Sequence, residues 1–416
     1  MGSYQRLAFG VSACLAVSSI TAVLHSPPAK ADISCAPGAK CLPVTDKGAP
    51  AAGPGPYIAQ CTGRFPDFIT PASLMPVNGS GFKLSQTYPA TMPPANDAPW
   101  LAIDFTDGVA GANKYLYALR DYAFQGMIDA DFKPEQNSVR AWFHMPLMTY
   151  GPHAREPLRG LTSERSVTGP ELGVKPGTTI HNYAIGFYNA SGAFTIGQVW
   201  KTASPDLVSA HFNQGAMTFK ILFSDVRATD FQGADLLAGA PQWTINTPTG
   251  PQSIRLMQMD VAAVDSRAPT GWVFGTFAFD SNAADASPWN RLRPVGLSWG
   301  DDFGFTPADQ QAGKKLTETT ISDQIPGYAA SHLGWAGRAN GPVDNPISGC
   351  ISCHSTAQSP VAPITGGQSV SITPDGVPIV PDQEYADRAL NVWLPPSVAV
   401  AKPKPETNTQ NKKRWK

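Results

Sequence analysis

Cys350-Ile351-Ser352-Cys353-His354 sets two thiols two residues apart, with an imidazole directly after the second. Thiols at that spacing can each add across one vinyl group of a single porphyrin. The two thioethers then pin one edge of the ring to a short loop, and the adjoining imidazole reaches the iron from one side. Six Cys and seven His among 416 residues produce this pattern by chance with a frequency on the order of one in a thousand. Competing chemistries need partners that the chain does not supply. A zinc site wants a second ligand pair, and no other CxxC or HxxxH occurs. A redox dithiol wants a βαβ setting, and a plain disulfide has no use for His354. The motif therefore predicts one covalent haem c on Cys350 and Cys353, with His354 as axial iron ligand.

A second axial ligand would have to precede the motif, because no Met or His follows His354. His332, in His332-Leu333-Gly334-Trp335, is the nearest candidate; His144, His153, His181 and His211 are others. Met145, Met148, Met257 and Met259 could offer a thioether, although a strand Met more often fills core. Arg155, Arg159 and Arg165 carry the charge that haem propionates pair with. Asp301-Asp302 after Trp299-Gly300 could hold a cation, but Gly and Asp are turn residues. No P-loop, dinucleotide fingerprint or HExxH motif occurs.

These residues must be positioned by a fold rich in turns. Gly (38) and Pro (40) together make nearly one residue in five, which disfavours long helices. The pattern predicts a mainly β (α+β) chain: an antiparallel sheet with a few short helices and a C-terminal haem-attachment segment. Tyr183, Ile185 and Phe187 alternate before Asn189-Ala190-Ser191-Gly192, and Phe194, Ile196 and Trp200 resume, which reads as a hairpin. Further alternating runs lie at Met217–Phe223, Met257–Val261, Val273–Phe279 and Val295–Trp299. A helix is expected over Asn113–Met127 with Asn113 as cap, and a short helix or helical turn over Pro307–Ile321. Lys220 falls opposite the Met217/Phe219/Ile221/Phe223 face, where a Lys is expected to point to solvent.

Lys+Arg (31) and Asp+Glu (32) balance to a net charge of −1, so nothing in the charge suggests a nucleic-acid partner. Residues 1–31 read as a secretory signal: one early positive charge, an uncharged apolar run over Leu7–Leu24, then Ala29-Lys30-Ala31 as the cleavage site. The run is too interrupted to span a bilayer, so no transmembrane anchor is expected after cleavage and the mature chain is expected in the periplasm. Residues 32–65 form a Cys/Pro/Gly-rich arm in which one disulfide among Cys35, Cys41 and Cys61 is expected. Residues 66–360 form the haem-binding β-rich domain, with a possible subdivision near 175, and 361–416 a Pro-rich, basic tail.

A sheet followed by a late haem motif resembles the hydroxylamine-oxidising monohaem cytochromes with a lysine-linked porphyrin and their nitric-oxide-binding relatives, the cytochrome c-prime-beta group. The resemblance is carried by Tyr183–Tyr188, Phe212–Lys220, Gly271–Phe277 and the motif itself. It implies that Lys220 matches the linked lysine and that the iron is five-coordinate, with His354 proximal and the opposite face open or capped by aromatics. The reading as a whole expects an exported monohaem c-type cytochrome performing one-electron transfer with a redox partner protein or a small-molecule donor or acceptor. The alternative is an open-site haem oxidoreductase of the hydroxylamine or peroxide type, or an NO/CO sensor.

Overall fold

The computed structural model describes residues 85–350, apart from segments at 95–97, 146–159, 170, 200–210, 248–249, 301, 303 and 347–348. The signal, the Cys35/Cys41/Cys61 arm, Cys353, His354 and the tail lie outside the described residues, as do His153, Met148, Arg155 and Arg159.

The chain opens with α1 (Gly108–Phe124) and continues through β1 (Trp142–His144), β2 (Thr162–Ser163), β3 (Val167–Thr168), β4 (Thr179–Ile180), β5 (Asn182–Asn189) and α2 (Ala190–Val199). Then come β6 (Met217–Ser224), β7 (Gln242–Thr247), β8 (Gly250–Val264), β9 (Trp272–Phe279), β10 (Leu292–Ser298), α3 (Pro307–Gln311), β11 (Thr319–Ile321) and α4 (Gly327–Ala330). One antiparallel sheet runs β1-β5-β6-β8-β9-β10-β11, with β2 joined to β5 and β7 to β8, while β3 and β4 pair separately. The expected mainly β architecture with an antiparallel sheet is present, and β1 and β2 enter the same sheet as strands far downstream.

The sheet buries both faces. Along β6, Phe219, Ile221 and Phe223 point into a large core with Met259 and Val261 of β8 and Phe277 of β9. Helix α1 lies on this side: a Cβ on Gly275 would come within 2.2 Å of Leu116 Cδ2, so the glycine lets the helix approach the sheet. The alternate residues form the opposite face, whose aromatic end gathers Tyr88, Tyr188, Phe212, Trp272 and Phe274.

Three local expectations are corrected. The second arm of the Tyr183–Trp200 hairpin is helix α2. Its buried positions Gly192, Ala193, Ile196 and Val199 follow helical spacing, and Asn189 caps its start by accepting from Gly192 N at 3.0 Å. Helix α1 begins after Asp107, not at Asn113, whose amide instead donates to Asp323 at 2.8 Å. Within Pro307–Ile321 the helix covers only Pro307–Gln311, and Thr319–Ile321 adds an edge strand.

Candidate functional site

One rung of the sheet holds the chemistry. In register across β5, β6, β8, β9 and β10 stand Gly186, Lys220, Asp260, Thr276 and Gly296. All share the face opposite the main core, because alternation places them out of phase with Phe219, Val261 and Phe277. The outward-facing Lys220 expected from the sequence is corrected here. It does lie opposite the Phe219 face, but residues 339–345 and neighbouring loops cover that side, leaving Lys220 8% exposed.

Lys220 is flanked by acids. Its Nζ lies 3.7 Å from Glu164 Oε2 and 3.7 Å from Asp260 Oδ2. The fully buried Gln258 ties the acids to the covering segment: its Nε2 donates to Asp260 Oδ1 at 2.8 Å and to Asp344 Oδ2 at 3.0 Å, and its Oε1 accepts from Val343 N at 3.1 Å. Asp344 also accepts from Gly341 N at 2.7 Å. Loss of solvation, reinforced by Asp344, pushes the Asp260 carboxyl up to about 7. Burial raises Asp344 as well.

The segment that covers this rung leads into the motif. Thr276 Oγ1 donates to Ala339 O at 3.2 Å, and the Cys350 thiol reaches the same carbonyl at 3.8 Å. Cys350 thus sits on the polar rung and also packs, with Phe143 and Met145, against the aromatic cluster of Tyr188, Phe212, Trp272 and Phe274. Burial, then Asp344 and Asp260, push its thiol well above the ordinary range.

The cluster is aromatic and apolar, and the Trp272 Nε1 in it is buried with no hydrogen-bond acceptor. Met145 leans over Gly186, where a Cβ would meet its Sδ at 1.7 Å. Met145 packs against the same aromatic cluster as Cys350.

The other candidates are placed elsewhere. Both ring nitrogens of His332 are engaged, Nε2 accepting from Leu172 N at 3.2 Å and Nδ1 meeting Tyr328 O at 2.7 Å. His144 is buried in β1, with Nδ1 accepting from Ser85 N at 2.7 Å, and desolvation pushes it down to about 3. His181 pairs with Asp225 at 2.9 Å, and His211 is exposed. Met257 and Met259 fill the main core. Arg165 makes a two-pronged contact with Glu171. Asp302 closes a turn by accepting from Thr317 and Glu318.

Sequence reasoning missed Glu164, Gln258, Asp260, Thr276 and Asp344. The sequence gives them little signal, since Gln258 and Asp260 simply occupy the polar alternate positions of Met257–Val261. Gly296-Leu297-Ser298-Trp299-Gly300 also matches a nucleophile-elbow pattern. Ser298, however, ends β10 with its hydroxyl against Thr319 at 3.1 Å, and no helix follows directly. Among the described residues no group of three or more His, Cys, Asp or Glu is arranged to hold a metal ion, and no helix is long and apolar enough to cross a membrane. No protein-family model, no curated protein and no solved structure matches the chain.

Proposed function

We propose that the chain is an exported monohaem c-type cytochrome that transfers single electrons, with haem c held by Cys350 and Cys353 and its iron bound by His354. The observation that carries this reading is the Cys350–His354 motif, whose first cysteine packs on the aromatic end of the sheet. Haem, when bound, supplies a one-electron iron couple tuned by its axial ligands and their surroundings. The chain's own residues do the rest. Tyr188, Phe212, Trp272 and Phe274 exclude water, the Trp272 indole offers an unused donor, and Met145 offers a soft sulfur ligand from the same cluster.

A second reading rests on a different observation. With His332 engaged by Leu172 and Tyr328, and Met257 and Met259 in the other core, an iron taken neither by Met145 nor by a residue outside the described ones would keep an open face. The chain would then act on hydroxylamine or peroxide, or bind NO or CO. The readings separate in one experiment, the reduced spectrum of exported, matured protein with and without CO. A six-coordinate low-spin spectrum that CO leaves unchanged supports electron transfer. A five-coordinate spectrum that CO shifts supports the second reading. Protein matured in a haem-attaching periplasm that shows no haem after denaturing electrophoresis overturns both.

A further inference from the structure

We propose that residues 339–345 are a hinged strap that lifts from the sheet as a unit and thereby gates access to Cys350. The strap folds on itself. Asp344 N donates to Gly341 O at 3.1 Å, Gly341 N to Asp344 Oδ2 at 2.7 Å, and Asn340 Nδ2 to Asn345 O at 2.7 Å. It crosses the sheet without joining it, since none of its residues enters a strand. Its fastenings to the sheet and to the neighbouring loop come from side chains. Gln258 of β8 donates to Asp344 and accepts from Val343 N, and Thr276 of β9 donates to Ala339 O. Arg165 Nε donates to Val343 O at 3.2 Å.

The backbone just upstream supplies the hinge. Ala336 and Gly337 take φ of +59° and +88°. The left-handed region suits Gly337 but strains Ala336, and such strain persists only while the surrounding structure holds it. Two glycines make the docked fit close. A Cβ on Gly296 of β10 would come within 2.8 Å of Ala339 Cβ, and one on Gly341 within 2.2 Å of Gln258 Cδ. Gln258 is fully buried and hydrogen-bonded at both ends of its amide, so it has no room to swing aside without breaking those bonds. Cys350 depends on this fit, because its thiol reaches the Ala339 carbonyl that Thr276 holds. A segment fastened by side chains opens at a lower free energy than the hydrogen-bonded ladder beneath it. Any group that Cys350 carries, haem included, must then be fitted before the strap closes or while it is lifted.

The gate needs no particular group on Cys350, so it stands or falls apart from the proposed function. The test is the reaction of Cys350 with iodoacetamide in the reduced full-length chain, produced without haem attachment, with the site read by fragmentation of its peptide. The rate is followed across a urea series together with the β-sheet signal in circular dichroism. Native labelling should run roughly tenfold or more below the rate in the fully unfolded chain, and should rise with urea before the sheet melts. Deuterium exchange at the Gly341 and Val343 amides should rise in step. Gly341→Ala, which crowds Gln258 from the strap side, should bring labelling near the unfolded rate with the sheet signal kept. Native labelling as fast as in the unfolded chain overturns the proposal. So does labelling that rises only as the sheet itself melts, or that stays slow in a folded Gly341→Ala chain. The urea series uses the wild-type chain, so it decides the matter even where the variant fails to fold. A gated chain that takes up no haem on export would uphold the strap and overturn the proposed function; a haem-bearing chain without the gate would do the reverse.

Discussion

Met145 is the residue on which the proposed coordination turns, because among the described Met side chains it is the one that packs, like Cys350, against the aromatic cluster. Met145→Ala should leave the haem covalently attached and convert a six-coordinate low-spin spectrum into one that binds CO. An unchanged spectrum would remove Met145 from the ligand set. His354→Ala should likewise keep the covalent porphyrin and lose the native spectrum. His144 gives an independent test of burial. Its folded pKa is pushed down to about 3 by desolvation, below the ~6.5 of an unfolded His. Below that value the unfolded chain takes up a proton that the folded chain refuses. Stability should therefore be intact above pH 6.5 and fall by ~1.4 kcal/mol per pH unit as pH drops toward 3. Denaturant titrations of wild type and His144→Gln should differ by this slope, and parallel curves would mean the imidazole is hydrated.

Between elements, the fit of α1 onto the sheet rests on a missing side chain. Gly275→Ala would drive a methyl to 2.2 Å from Leu116 and 3.0 Å from Val261. It should cost ~1–3 kcal/mol in chemical denaturation, and a cost near zero would mean the helix is free to lift. The elements were largely legible from sequence. Alternation marked β5, β6, β8, β9 and β10 because each has an apolar face at period two. Helix α2 was misread because Phe194 and Ile196 also fit that period. The decisive signals were one local contact, Asn189 capping Gly192, and one tertiary pairing, β5 directly with β6. Lys220 was misread for a related reason. Its face is polar in sequence, but the covering segment at 339–345 comes more than a hundred residues later, and strand alternation cannot foresee what lies over a face. The motif was legible because its spacing is local; the carboxyl groups beside it were not, because the fold gathers Glu164, Asp260 and Asp344 from three places in the chain.

At the scale of the whole molecule, one sheet carries both the polar rung and the aromatic cluster, and the motif's first cysteine rests between them. The proposed export predicts removal of residues 1–31, so N-terminal sequencing of the mature protein should begin at Asp32; a start at Met1 would contradict cleavage after Ala31. The most direct measurement of the central claim is the mass of the mature, exported chain under denaturing conditions, with the Cys350–His354 peptide isolated. The proposal predicts the added mass of one haem on that peptide, lost when Cys350 and Cys353 are both replaced by Ser. A peptide with two unmodified cysteines, from cells that attach haem to a control cytochrome, would contradict it.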